Sequence, residues 1–97
     1  MSASDELDHD PPSPATNRKP SAEICCRLAK NLRRYRHRRG YTQERLAKMC
    51  GLTKSYVGNV EQATVNITLA NLEALAIGLH CGEDELLRRQ LLIPPLR

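Results

Sequence analysis

The sequence lacks phenylalanine and tryptophan altogether, and its three tyrosines are its only large aromatic residues among 97. A hydrophobic core therefore has to be built from Leu, Ile, Val, Ala and Met. Packed helices suit such a core better than a β-sheet does, because sheets use more aromatic and β-branched side chains. The length allows one small domain with a modest core. Together these features predict an all-α domain.

Long apolar runs are also missing. None approaches the length that spans a membrane, and the N-terminus is acidic where a secretory signal is basic and then apolar. We therefore expect a cytoplasmic protein whose four cysteines are reduced thiols. No two cysteines form a Cys-x-x-Cys motif and the three histidines are scattered, so neither a metal site nor another cofactor is expected. Cys50 and Cys81 are expected to be small buried apolar residues instead.

The residue types of a catalytic site are not found at catalytic spacing. No Ser/His/Asp or Cys/His set has partner spacing, and no glycine-rich loop is present to hold a phosphate. The acidic residues of the helical region stand largely at predicted helix starts. The chain is therefore not expected to be an enzyme.

The charge is unevenly distributed. Residues 1–21 hold two basic and four acidic groups, so the rest of the chain carries 13 basic and 7 acidic groups, a net charge of +6. Residues 1–20 are also rich in proline and almost free of large apolar groups, which predicts a disordered tail followed by a domain over residues 21–97. A domain this basic favours a polyanionic partner.

Five helices are predicted from apolar periodicity and from capping residues. Ser21 caps the first helix and Gly40 ends it; Thr42, Thr53 and Thr68 cap the next three, and Gly82 starts a short fifth. The apolar positions expected to face the core are Ile24, Leu28, Leu32, Tyr35, Leu46, Ala47, Met49, Val57, Val60, Leu69, Leu72, Leu75, Ala76 and Leu79.

The second and third helices have the pattern of a helix–turn–helix. Ala47 supplies a small residue where the two helices touch, and Gly51 tolerates the positive φ of a sharp turn. Val57 and Val60 attach the later helix to the core. The combination at these fixed offsets, with a cap on each helix, predicts a helix–turn–helix corner.

Residues 28 to 87 resemble the phage repressor and Cro-like (Xre-like) helix–turn–helix family. The matching motifs are Leu32-Arg33-Arg34-x-Arg36-x-x-x-Gly40-x-Thr42-Gln43, Leu46-Ala47, Gly51-Leu52, Tyr56-Val57 and Val60-Glu61, with Leu72, Ala76 and Leu79 after them. The resemblance implies a five-helix repressor-like fold and a transcription regulator that binds double-stranded DNA. It also implies a homodimer on a palindromic operator. The stretch Asn66-Ile67-Thr68-Leu69, followed by Leu72-Glu73, is similar to restriction–modification controller proteins.

In this family the N-terminal end of the third helix enters the major groove. The resemblance therefore implies base reading by side chains on the face opposite Val57 and Val60, namely Thr53, Lys54, Ser55 and Asn59. Lys54 can donate to guanine and Asn59 can pair with adenine. The alternative is a solvated helix face with no role in recognition. Gly58, inside the same helix, departs from the family pattern.

Further positions are expected to contact the DNA backbone or to support the fold. Candidate backbone contacts are Gln43, Tyr56, Thr64 and Asn66. The resemblance also implies an ion pair between Arg36 and Glu61 that ties the first helix to the end of the third.

A surplus of aliphatic residues near the C-terminus predicts a dimer interface. It includes Leu87, Leu91, Leu92 and Ile93. The alternative is that the first leucines of this region fold back on the core while the rest frays. A second interpretation of the whole chain also stays open, an antitoxin-type interaction module that binds a toxin protein and regulates its own gene.

Overall fold

The structure, a computed structural model, describes residues 19–89. Helix α1 spans Ala22–Arg39, α2 Gln43–Cys50, α3 Lys54–Glu61, α4 Leu69–Leu79 and α5 Glu83–Leu87, and the described residues contain no strand. The predicted all-α, five-helix repressor-like architecture is confirmed. Nearly all of the predicted tail, and Leu91, Leu92 and Ile93 of the expected dimer interface, lie outside the described residues. Within 19–89 no helix combines the length and the apolarity needed to cross a membrane.

Hydroxyl caps start the first four helices. The side-chain oxygens of Ser21, Thr42, Thr53 and Thr68 each accept a hydrogen bond from the backbone N–H three residues later. These bonds satisfy donors that a helix start leaves without an intrahelical partner. Because a cap needs only local sequence, the starts of these helices were predictable.

The core is aliphatic, as the composition predicts. Its buried residues are Leu28, Leu32, Leu46, Ala47, Val57, Val60, Leu72, Leu75, Ala76, Leu79 and Leu86. Two predicted core positions are wrong. Leu69 is 83% exposed because it is the first residue of α4 and projects beyond the edge of the core. Met49 is 41% exposed, because Cys50 falls between Leu46 and Ala47 on the helical wheel and takes the inward place.

Two of the cysteines pack against this core. Cys50 and Cys81 are half-buried, less than expected, and all four cysteines are free thiols. Burial raises the pKa of the Cys50 thiol, and burial together with the nearby Glu85 charge raises the pKa of Cys81. Both thiols are therefore held in the neutral form that suits their packing.

Helix α1 is also bonded to the ends of the last two helices. Asn31 is buried, and its Nδ2 donates to the carbonyl oxygens of Leu86 at 2.8 Å and Arg88 at 3.0 Å. Arg39 donates to the carbonyl oxygens of Leu79 and His80 at the end of α4. These bonds satisfy carbonyls that helix ends leave without an intrahelical partner.

Candidate nucleic-acid interface

The corner between α2 and α3 is built around Gly51. Its φ of 72° is the left-handed conformation that the sequence predicted, and it lets Leu52 N–H donate to the carbonyl of Ala47 at 2.9 Å. Ala47 is 2% exposed where the two helices pack together. A glycine adopts this turn without the Cβ penalty that other residues carry.

Helix α3 presents a buried and an exposed side. Val57 and Val60 are buried in the core, whereas Lys54, Ser55 and Asn59 are exposed. The predicted base-reading residues on α3 thus share the solvent side, as expected. The fourth, Thr53, is the N-cap residue, and its Oγ1 accepts a 3.0 Å bond from Tyr56 N–H. Its hydroxyl proton remains able to donate outward.

A compact ion pair joins α1 to the end of α3. Arg36 Nε donates to Glu61 Oε2 at 2.6 Å, and Arg36 Nη2 donates to Oε1 at 2.9 Å, so the guanidinium binds the carboxylate in a bidentate manner. Arg36 also donates to the carbonyl oxygen of Tyr41 at 2.8 Å. Both partners are buried. This is the pair that the family resemblance implied.

Two further side chains complete the cluster around Glu61, and the sequence did not assign them to it. Gln43 Nε2 donates to Glu61 Oε1 at 2.9 Å, and Arg33 Nη1 donates to the Glu61 carbonyl oxygen at 2.6 Å. Burial by itself raises the pKa of the Glu61 carboxyl, but the bonds from Arg36 and Gln43 and the nearby arginine charges outweigh it. The net result is a pKa below its ordinary value.

Gly58 lies beside the Gln43 side chain. A Cβ built on Gly58 would be 3.5 Å from Gln43 Oε1, an ordinary contact, so this glycine is not required by space. Gln43 thus lies across α3 with its amide nitrogen on Glu61. Its side chain links the start of α2 to the end of α3.

The remaining candidates surround α3. The Tyr56 hydroxyl accepts a 3.1 Å bond from Asn71 Nδ2, which leaves its own proton free to donate. Thr64 Oγ1 donates to the carbonyl oxygen of Asn59 at 3.1 Å, and Asn66 is exposed in the same loop. Asn71 has no sequence signal that marks it as a partner of Tyr56.

The loop begins with a strained residue. Ala63 follows α3 with a φ of 61°, a left-handed conformation uncommon for a residue with a Cβ. Its N–H still donates to the carbonyl oxygen of Val60 at 3.0 Å. This turn brings Thr64 back to α3, where its N–H and its Oγ1 both donate to the carbonyl oxygen of Asn59.

Helices α2 and α3 meet at a tight glycine turn, and α3 buries its aliphatic side while it exposes its polar side. This arrangement is that of a helix–turn–helix DNA-binding domain.

Comparison with known proteins gives the same class. The helix-turn-helix family model HTH_3 matches residues 32–86, more than half of the chain, and the chain belongs to this family. The control protein C.SmaI of Serratia marcescens is 41% identical over 76 residues, which is 73% of this chain and 90% of that protein.

Two solved structures support the same class of protein. The restriction-modification controller protein C.AhdI from Aeromonas hydrophila matches with a TM-score of 0.63 and 39% identity, over 64% of this chain and 94% of that one. A hypothetical transcription factor from Neisseria matches with a TM-score of 0.65 and 34% identity, over 89% and 90% of the two chains. The chain is thus a DNA-binding helix–turn–helix transcription regulator and not an enzyme, as the sequence predicted.

Proposed function

We propose that this regulator acts as a restriction–modification controller, binding double-stranded operator DNA as a homodimer with α3 in the major groove. The observation that carries the proposal is the exposed polar side of α3, where Lys54, Ser55 and Asn59 stand free while Val57 and Val60 anchor the helix. The similarity to C.SmaI and C.AhdI supports the controller role. We place its action in the cytoplasm, because a regulator of this family works where the cell's DNA is.

Base reading is proposed for the first turns of α3. An eight-residue helix is about 12 Å long, comparable with the width of the major groove. Lys54 donates to guanine O6 or N7, and the Asn59 amide pairs with the N6 and N7 atoms of adenine. Thr53 and Ser55 add hydroxyl donors that discriminate less between bases.

Phosphate contacts are proposed for Gln43, Tyr56, Thr64 and Asn66. The Tyr56 proton is free to donate to a phosphate oxygen because its hydroxyl oxygen serves Asn71. Thr64 has to release the Asn59 carbonyl before its hydroxyl can donate outward. Gln43 keeps its amide nitrogen on Glu61, so its phosphate contact relies on the N–H groups at the start of α2.

The proposed dimer interface includes Leu87, Leu91, Leu92 and Ile93. Leu87 is half-buried and lines an apolar groove of about 190 Å³, whose lining also includes Ile24, Val65 and the exposed Leu69. The chain leaves α5 beside this groove and continues into its aliphatic C-terminal residues. We propose that the groove and these residues together meet a second copy.

Sedimentation at micromolar concentration tests the dimer. We expect the wild-type chain to be dimeric and a Leu91→Glu, Ile93→Glu variant to be monomeric yet helical. A matched control, Met49→Glu, adds a charge at an exposed position in the last turn of α2 and should stay dimeric. A monomeric wild-type chain would place the interface elsewhere or remove it.

Footprinting on the DNA upstream of the chain's own gene tests the function. We expect a near-palindromic protected site with half-sites about 34 Å apart. The logarithm of the binding constant should fall steeply with the logarithm of salt concentration, because each neutralised phosphate adds about 0.9 to the slope. A flat salt response with tight binding to a protein partner would favour the antitoxin interpretation instead.

A further inference from the structure

A row of basic side chains runs along the solvent side of α1. Lys30, Arg34 and Arg38 are exposed and are spaced four residues apart, so they form one line about 12 Å long. We call these three residues the basic stripe. Like charges at this spacing repel one another, so the stripe lowers the stability of the helix that carries it.

No salt bridge of the described domain involves the stripe, and its three cations outnumber the carboxylates beside it. Within residues 19–89 the salt bridges join Arg27 and Arg89 to Glu23, Arg36 to Glu61 and Arg88 to Asp84. None involves the stripe. Two carboxylates line the grooves beside the stripe. Glu23 shares a groove with Lys30, and its Oε2 lies 3.7 Å from Arg27 and 3.8 Å from Arg89. Glu85 shares a groove with Arg34 and Arg38, and its Oε1 accepts a bond from Gly82 N–H at 3.1 Å.

Local contacts support two of the three cationic groups. Arg34 Nη1 donates to Asn31 Oδ1 at 3.3 Å, and the Arg38 guanidinium lies 5.4 Å from the centre of the Tyr35 ring. Asn31 is itself fixed by its bonds to the end of α5. These supports reduce the conformational entropy that a bound anion would otherwise have to remove.

The stripe faces away from the proposed DNA surface. The side of α1 that carries Arg33 and Arg36 reaches the end of α3, whereas the stripe lies on the exposed side of the helix. A duplex seated on α3 therefore leaves the stripe uncovered. It would remain a second, non-productive place for DNA to attach unless another anion occupied it.

The chain carries a suitable anion upstream of the same helix in the sequence. Asp5, Glu6, Asp8 and Asp10 precede α1, in a stretch whose only lysine or arginine before Lys19 is Arg18 and whose one histidine is His9. Eleven residues lie between Asp10 and Ala22, and these twelve Cα–Cα steps reach about 40 Å when extended, while Arg38 lies about 24 Å along α1 from Ala22. The acidic residues can therefore reach every position of the stripe, and the tether gives them a high effective concentration.

We propose that the acidic N-terminal segment, residues 5–10, docks on the basic stripe of its own chain and keeps non-specific DNA from that face. The attraction is between carboxylates and supported cations at a solvent-exposed surface, so it is weak and sensitive to salt. It leaves the exposed side of α3, with Lys54 as its one cation, as the surface available to DNA.

Nuclear magnetic resonance of the full chain tests the docking without DNA. The tail variant is Asp5→Asn, Glu6→Gln, Asp8→Asn, Asp10→Asn. We expect it to shift the backbone amide and arginine Nε–H signals of residues 30–38 at low salt, independently of protein concentration. At about 1 M NaCl the two spectra should coincide over these residues, because the screening length is then about 3 Å. A control variant, Glu44→Gln, Glu73→Gln, changes exposed carboxylates elsewhere and should leave the stripe signals in place.

Two spectroscopic results would overturn the proposal. One is the absence of shifts on the stripe, and the other is a set of shifts centred on α3. Shifts that grow with protein concentration would also contradict it, since they would place the segment on a second copy.

A double-mutant cycle gives an independent readout on random-sequence duplex DNA. The tail variant should bind such DNA on the order of 3–10-fold more tightly at low salt. In the stripe variant Lys30→Gln, Arg34→Gln, Arg38→Gln this gain should disappear. An equal gain in both backgrounds would show a general effect of net charge and would contradict docking. The stripe residues are exposed, so melting curves should show that the stripe variant remains folded.

Discussion

Arg36 and Glu61 bind each other through two hydrogen bonds of 2.6 and 2.9 Å in a buried position between α1 and α3. Removal of one partner leaves the other as a buried charge without compensation. We therefore expect Arg36→Met to lower the free energy of unfolding by about 3–5 kcal/mol, measured by urea denaturation. The double variant Arg36→Met, Glu61→Leu should recover most of this loss. Lys48→Met, an exposed control on α2, should change stability by less than about 0.5 kcal/mol. Equal losses for the buried and the exposed cation would refute the argument.

The same pair makes stability depend on pH in a defined direction. The pKa of Glu61 lies below its ordinary value in the folded state, so its contribution to stability is complete above the ordinary pKa of about 4.5. It is lost as the pH falls through the lower, folded-state pKa. We expect the difference in melting temperature between the wild type and Glu61→Gln to be largest near neutral pH and to shrink below about pH 4. A difference that stays constant with acidification would show that the carboxylate charge is not what stabilises the site.

Sequence reading by α3 can be separated from phosphate binding. Lys54→Ala and Asn59→Ala should each lose about 1–3 kcal/mol of affinity on the operator and little on random DNA, measured by fluorescence anisotropy at fixed salt. Lys48→Ala removes an exposed charge from α2 and should affect both DNAs alike. If the α3 variants behaved like the Lys48 variant, Lys54 and Asn59 would be phosphate contacts.

Two helical glycines should respond oppositely to alanine. A Cβ on Gly78 would lie 2.6 Å from Cys50 Sγ and 3.4 Å from Leu46 Cδ1, whereas Gly58 has only an ordinary contact with Gln43. Gly78→Ala should therefore destabilise the domain by about 1–3 kcal/mol, and Cys50→Ala in the same chain should relieve much of the loss. Gly58→Ala should stabilise it by up to about 1 kcal/mol through helix propensity. Denaturant titration of the three variants measures these changes in the free energy of unfolding. A Gly78→Ala single variant that is more stable than the wild type would contradict the prediction.

Two left-handed positions offer a second opposed pair. Gly51 has a φ of 72° with open space around a Cβ, and Ala63 has a φ of 61°. Gly51→Ala should lower the free energy of unfolding by about 1 kcal/mol through backbone strain alone. Ala63→Gly should raise it by about 0.5–1 kcal/mol, as read from thermal unfolding. A loss of stability in Ala63→Gly would mean that its methyl group contributes more than the strain removes.

Sequence reasoning succeeded where the determinants are local. Thr42 and Thr53 cap helices through bonds that span three residues, and Gly51 supplies the turn conformation that its position demands. It failed where a second element decides the outcome. Leu69 matches the apolar period of α4, yet nothing in α4 alone indicates that the core ends before it.

In the candidate site, too, local features were predictable from the sequence and contacts between distant residues were not. The exposed side of α3 follows from helical periodicity and from the buried valines. The bond from Gln43 to Glu61 joins residues 18 positions apart, and that from Asn71 to Tyr56 joins residues 15 positions apart. Residue types alone do not specify such pairings, because many polar partners of similar chemistry are present. The residue type of Ala63 does not predict its positive φ, because its Cβ disfavours the left-handed region.

The bonds from Asn31 to the end of α5 have a consequence for the order of folding. The helix–turn–helix corner is made mostly from neighbours in the chain, whereas Asn31 and Leu86 close a loop of 55 residues. Closing a loop costs chain entropy before the contacts at its ends are gained, so the corner should form early and α5 should join last. A five-residue helix is also too short to persist alone. Amide hydrogens of α5 should therefore exchange with solvent by a partial opening that leaves α2 and α3 folded, so that α5 can detach while the helix–turn–helix corner keeps its shape.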